Sequence, residues 1–374
     1  MSKIIPIRTP WKKGEMTSRE RFKKQMNFEP VDRSFNMEFG YWDENYTLWE
    51  MFKKNNITTE WDANTFLNFD RIENVWGNVW MDPYFEYKEI ERKGDKIIMQ
   101  NEDGVTGEIS TGNTSSIPHF IESAIKTPDD WLKMKKERFD VKNPNRKMDV
   151  QKIIEAHPSN RDYPLGINCG SMIGRIRDLL TFEGLCYAYI DYPEMIEDMV
   201  ETACQLVENS IDQILGKVEF DFASGWEDIC YNHGPILPPS FFNEIVAPRY
   251  KRIHNRLKNH GIDLWYTDCD GDVRPLLDMF LDSGINCMFP YEVNSCIFPG
   301  DLMDEYKTLR IMGGVDKMQL IKGQEATKDY LEKLLPYVKR GGIIPFCDHR
   351  CPPDVTEENY IYYLDLKEKL FGGF

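Results

Sequence analysis

No stretch of the sequence approaches the roughly 18 consecutive apolar residues that a membrane-spanning helix needs. The opening stretch, MSKIIPIRTPWKKGEMTS, has no continuous apolar segment and no small-residue cleavage pattern. Together these absences predict a cytoplasmic chain that does not enter a membrane. Basic residues are in short supply: 46 Lys and Arg stand against 62 Asp and Glu, a formal net charge of −16. So acidic a chain lacks the basic footprint of a nucleic-acid binder. No two cysteines have CxxC spacing, which excludes a thiolate zinc ribbon. The nine cysteines are odd in number and scattered, so they read as reduced thiols, several of them small core residues. No GxGxxG follows an apolar run, which argues against a dinucleotide-binding fold. Internal repeats, low-complexity tracts and Gly/Ser linkers are also missing.

What is present is a large apolar fraction, 41% of 374 residues, enough for a substantial core. Length alone allows two domains, but an α/β barrel uses this much chain as one unit. Residues 17–28, TSRERFKKQMNF, carry a capping-box signature and predict a helix within an N-terminal helical segment, residues 1–30. FNMEFGYW, 35–42, reads as a first strand. Residues 79–111 alternate and carry turn signals at KGD and EDG, which predicts a small antiparallel β-meander. TPDDWLKMKKERF, 127–139, reads as a capped helix, and a long helix is expected over about 193–215. From 163 onward, short apolar runs at 163–168, 219–224, 263–268, 285–289, 309–313 and 342–346 are spaced by helical segments. Strands spaced by helices imply a parallel sheet. Their number predicts an α/β fold, a (β/α)8 TIM-type barrel over residues 1–374 as a single domain, with the meander as an insertion.

In such a barrel the reactive groups follow the C-terminal ends of strands. Those positions hold Trp226, Glu227 and Asp228, then Asp268, Cys269 and Asp270, then Glu292, then Asp348, His349 and Arg350. Asp268, Asp270, Glu292 and His349 converge at one end of the barrel in this reading. Asp268 and Asp270 share a face if the strand continues through them. With Glu292 and His349 they offer oxygen and nitrogen ligands suited to a divalent metal. A polar pocket without a metal is the other reading of the same residues. Asp272 reads as a helix cap and Cys269 as a packed core residue. His254 and His260 read as surface positions on a helix, and His119 and His157 have no site around them.

The segments TSRERF…NFEPVDR (17–33), GWEDICYNHGPILPPSFFNEIVAPRYKRI (225–253), DCDGDVRPLL (268–277), GGVDK (313–317) and GGIIPFCDHRCPPDVTEENY (341–360) resemble the uroporphyrinogen decarboxylase-like superfamily, in order and over nearly the whole chain. The resemblance implies a distorted (β/α)8 barrel. True uroporphyrinogen decarboxylases carry an Arg-rich segment after the first strand, whereas MEFGYWDEN (37–45) has no arginine. Eight substrate carboxylates would be poorly held without it. The other branch comprises methyltransferases that work with corrinoid proteins. The His-x-Cys of its coenzyme M-dependent members stands here as Asp268-Cys269-Asp270, with His349 in place of the later Cys.

What remains resembles the methyl-donor side of anaerobic O-demethylation. The implied activity moves a methyl group from a small methylated compound, such as a methoxylated aromatic, to the Co(I) of a corrinoid (cobalamin) protein. Glu227, Asp268, Asp270 and His349 are the implied catalytic residues. Tyr41, Trp226, Tyr231 and His233 are the implied substrate contacts, and Asp270, Glu292 and His349 the implied ligands of a metal, zinc first. A corrinoid protein is the implied partner, and a homodimer is left open. The competing readings are a decarboxylase of a non-porphyrin acid and a catalytically silent barrel acting as a binding subunit.

Overall fold

The computed structural model describes residues 4–11, 14–110 and 118–374. Its strands in chain order are β1 (Glu73–Val75), β2 (Lys88–Lys93), β3 (Lys96–Gln100), β4 (Thr106–Ser110), β5 (His119–Glu122), β6 (Leu165–Asn168), β7 (Phe222–Trp226), β8 (Cys230–Tyr231), β9 (Gly234–Pro235), β10 (Trp265–Asp268), β11 (Cys287–Tyr291), β12 (Arg310–Val315) and β13 (Ile343–Cys347). Seven of them, β1, β6, β7, β10, β11, β12 and β13, form one parallel sheet in that order. Neighbours in this sheet are neighbours in the winding, with helices on the crossovers, so the sheet curls in one direction as in a TIM-like fold.

Period-two alternation sorts each strand's side chains between two cores. Leu264, Tyr266 and Asp268 of β10 and its lead-in share the inner face, while Trp265 and Cys269 belong to the outer core. The inner cluster contains Phe35, Met37, Phe222, Cys287, Phe289, Met312, Ile344 and Phe346, and is closed below by Phe22 and Met26. The outer cluster runs from Trp11 to Phe371 and takes the apolar faces of the helices.

The expected first strand at 35–42 forms no ladder. The segment is extended, and Phe35, Met37 and Phe39 alternate into the inner cluster as a strand's would. Its backbone partners, however, are largely side chains. The Phe35 N–H donates to Gln25 Oε1 at 2.6 Å, and Gln25 Nε2 donates onward to the Ile343 carbonyl of β13 at 2.6 Å. The Asn36 N–H donates to Asp70 at 2.8 Å, and the Cys347 N–H donates to Glu38 at 3.1 Å. A single parallel bridge, Tyr41 to Cys351, remains. The expected eight-stranded barrel is therefore a curled sheet of seven hydrogen-bonded strands, with segment 35–41 packed between β13 and the approach to β1. Glu38 also accepts from Lys367 Nζ and Tyr363 OH, both at 2.7 Å, and Lys367 is fully buried.

A four-stranded antiparallel sheet, β2 to β5, stands between β1 and β6. Its turns fall at Gly94 and Gly104, both at positive φ, where the KGD and EDG signals lie. Its bounds differ from the expected 79–111: residues 79–87 carry no strand, β5 lies beyond, and residue 111 is outside the described residues. The capping boxes at Thr17/Glu20 and Thr127/Asp130 start helices Ser18–Met26 and Pro128–Arg138, and the long helix runs Pro193–Asp212. Among the described residues no helix is long and apolar enough to cross a membrane.

Candidate active site

A cavity of about 550 Å³ lies over the C-terminal ends of β1, β6, β7, β10 and β11. Its floor is aromatic. Tyr266 stacks against Phe222 at 5.7 Å between ring centres, and lies 5.0 Å from Phe289. Ser224 donates to Asn74 Oδ1 at 3.0 Å, and Asn74 donates to the Tyr266 hydroxyl at 3.4 Å. Burial pushes that phenol up to about 12, so it stays a hydroxyl. Trp76, Trp80 and Tyr84, from the segment after β1, and Trp226 at the end of β7 form walls. Asn168, Ser171, Arg175, Asp178 and Asp268 supply the polar lining.

Asp268 reaches this cavity because it continues the inner face of β10 one step above Tyr266. Its carboxyl group makes no hydrogen bond among the described residues. Burial holds its pKa well above the usual carboxylate range, and the charges of Asp270 and Asp228 push it further in the same direction. Asp228 is itself raised by burial and by Asp270, against the opposing pull of Arg177. Neighbouring carboxylates cannot all ionise cheaply, so Asp268 keeps its proton to a higher pH than a solvated Asp does.

Two residues beyond Asp268, Asp270 Oδ2 lies 3.3 Å from His349 Nε2. The second oxygen of Asp270 is buried without a hydrogen-bond partner among the described residues. Glu292 turns elsewhere, accepting from Lys317 Nζ at 2.9 Å and from the Gly271 N–H at 3.3 Å. The expected metal set is thus split: Asp270 and His349 face each other, and Glu292 pairs with Lys317. Among the described residues no group of three or more His, Cys, Asp or Glu side chains stands where it could hold a metal ion. These residues do not fit zinc as they stand.

Glu227, expected in the cavity, is fully buried behind it. Its carboxylate accepts from the N–H groups of Met172, Ile173 and Gly174 at 2.6, 2.9 and 2.8 Å, from the Ser171 hydroxyl at 3.3 Å, and from Tyr250 OH. Burial raises it to about 7 even though those donors pull it down. It anchors the loop that carries Gly170 and Ser171 to the cavity wall, because the first N–H groups of helix Gly174–Leu180 need an acceptor. Tyr41 also departs from expectation. It is 1% exposed, hydrogen-bonded to Tyr360 OH at 2.6 Å, and packed among Trp49 and Phe52 on the outer side of its segment. An odd-numbered position beyond Gly40 is turned outward by that glycine's φ of +139°. Tyr231 and His233 lie exposed on the β8–β9 hairpin and outside the cavity lining, where the hairpin is tied to the loops after β10 and β11 by the Asp272 N–H donating to the Tyr231 carbonyl and Ser295 donating to Asn232. Of the expected substrate contacts, Trp226 alone lines the cavity.

Several lining residues carried no sequence signal. Trp76, Trp80 and Tyr84 follow β1, a three-residue strand with no apolar run to announce it. Arg175 and Asp178 lie on the helix after the Gly-containing loop at 169–174. Asp348 is buried, accepts from the Val293 and Lys317 N–H groups at 3.0 Å each, and is pushed up to about 6 by burial. It ties two loops of the barrel mouth together.

The chain matches no family profile and no curated protein. Among solved structures it is similar to a methyltransferase from Methanosarcina mazei, with a TM-score of 0.52 and 15% identity. The likeness covers 95% of this chain and 99% of the other, and at that identity it is a likeness of fold.

Proposed function

We propose that this chain is a methyltransferase that takes a methyl group from a small, flat methylated compound, a methoxylated aromatic, for transfer to a corrinoid protein. One observation carries the reading: Asp268, a carboxyl group whose hold on its proton is strengthened by burial and by Asp270 and Asp228, faces an aromatic-walled cavity at the strand ends of a TIM-like sheet. The fold shared with a methyltransferase agrees with it. An ether oxygen is a poor leaving group and needs a proton as the C–O bond breaks. Asp268 donates that proton, the oxygen keeps the bonding electron pair, and the methyl group departs on the opposite side. The Co(I) centre of the corrinoid protein supplies the nucleophile that accepts it. Asp270, whose charge strengthens the hold of Asp268 on its proton, is oriented by His349 at 3.3 Å. Tyr266, Phe289, Trp80 and Trp226 hold the donor ring in line, and orientation is the larger part of such a displacement.

The aromatic faces favour an ether over a cationic methylamine. Guanidinium groups already cover two of them, Arg175 over Trp80 at 4.9 Å and Arg177 over Trp226 at 5.3 Å. A quaternary ammonium entering here meets cations where a cation-binding cage offers bare rings. The test is incubation of the protein with a Co(I) corrinoid protein and a panel of methoxyarenes, followed by the cobalt absorption spectrum. The reading expects methylation of the cobalt with methoxyarenes and none with tetramethylammonium. Transfer from the ammonium donor alone overturns it.

A further inference from the structure

Arg175 is the one cationic side chain among the described residues lining the cavity. It is one-third exposed, and its guanidinium makes a single hydrogen bond among the described residues, Nη2 to Asp103 Oδ1 at 3.1 Å. The rest of the fork has no hydrogen-bond partner among the described residues, and Arg175 lines the cavity. The same Asp103 Oδ1 also accepts from Trp80 Nε1 at 2.9 Å, so a single carboxylate oxygen serves both side chains. Burial moreover raises the pKa of Asp103. The other charged groups of the lining are spoken for: Asp178 accepts from Arg177 at 2.9 Å, and Asp268 is held toward its neutral form.

Asp103 belongs to the antiparallel insertion. It sits in the turn between β3 and β4, where Asn101 Oδ1 accepts from the N–H groups of Asp103 and Val105 at 3.1 and 2.9 Å. The insertion therefore reaches the cavity through one carboxylate, which fixes the indole of Trp80 and one arm of Arg175 together. A planar guanidinium with a free edge beside a flat aromatic wall suits a carboxylate borne on a flat ring.

We propose that Arg175 is an anion anchor, and that the cavity selects a planar ligand bearing a carboxylate at the end opposite the group to be transferred. The insertion sets this selectivity by orienting Arg175 through Asp103. The inference deepens the reading of the cavity as the methyl-donor site and rests on it, but its test does not require methyl transfer. Benzoate and benzamide have nearly the same shape and differ in charge. Calorimetric titration of each into the full chain, with no corrinoid present, is expected to show benzoate binding about tenfold more tightly, a gap of one decade in Kd. In Arg175→Met the two affinities are expected to fall within about twofold of each other. In Asp103→Asn, which keeps the Oδ1 acceptor that orients the guanidinium and removes only its negative charge, the preference for benzoate is expected to persist or grow. A merely structural Arg175–Asp103 pair would make the two variants behave alike. Equal affinities in the wild-type chain, no binding of either compound, or an unchanged ratio in Arg175→Met would each overturn the proposal. Benzoate selectivity without any methyl transfer would leave the anchor standing and remove the reaction.

Discussion

The Asp270 Oδ2 lies 3.3 Å from His349 Nε2, joining the end of β10 to the end of β13. His349 is partly exposed and also contacts Phe39 edge-on at 5.4 Å. Its replacement by Ala leaves the outer core untouched but strands a carboxylate whose other oxygen is already unpartnered. We expect His349→Ala to lower methyl transfer by about tenfold or more, equivalent to about 1.4 kcal/mol or more of transition-state stabilisation, with the thermal midpoint nearly unchanged. Steady-state kinetics beside a melting curve check it. A variant as active as the wild type would remove the pair from the chemistry.

Glu227 gives a pH signature. Its pKa rises from 4.5 to about 7 on folding, so the folded chain holds a proton there that the unfolded chain has lost. That contribution to stability is complete below about pH 4.5 and is lost as pH rises to about 7, up to about 3 kcal/mol for a fully buried group. Melting temperatures across this window should fall more steeply for the wild type than for Glu227→Gln, which cannot ionise. Parallel curves would contradict the assignment of Glu227 as a buried anchor that keeps its proton to about pH 7.

The buried Glu38–Lys367 pair holds segment 35–41 against β13. Removing one partner leaves an uncompensated charge, so Glu38→Ala should cost about 3–5 kcal/mol in urea unfolding. The double variant Glu38→Leu with Lys367→Met should recover most of that loss. A neutral single variant would show that the eighth position of the sheet is held by something else.

Porphyrin decarboxylation is not expected. Arg175 is the single cation lining the cavity among the described residues, and eight carboxylates need far more compensation. Assays with uroporphyrinogen should show no coproporphyrinogen, and its appearance would return the chain to the decarboxylase reading.

How much of this was legible beforehand follows from which signals are local. The apolar runs of β6, β7, β10, β11, β12 and β13 are visible because buried parallel strands lack polar positions. Asp268 follows from period-two alternation along β10. The ladder missing at 35–42 was not legible: FNMEFGYW alternates as a strand does, and its backbone partners include the side chains of Gln25, Asp70 and Lys367, distributed over the chain. Glu227 carried a reactive residue's position but not its surroundings. Only the fold brings the Met172–Gly174 backbone to it. Arg175 and Trp80 were hidden for the same reason, since an Asp in a distant hairpin turn makes them neighbours.

The central claim is that Asp268 delivers a proton to a departing oxygen, and a comparison of leaving groups tests it most directly. Methyl transfer is measured for the wild type and Asp268→Asn across methoxyarenes whose parent phenols differ in acidity. A general acid contributes about 10²–10⁴-fold for a poor leaving group and progressively less as the leaving phenol becomes more acidic. The account predicts a large loss with anisole-like donors that shrinks steadily with nitro-substituted ones, while donor binding stays within a few-fold. A loss of the same size for every donor, or no loss at all, would contradict it.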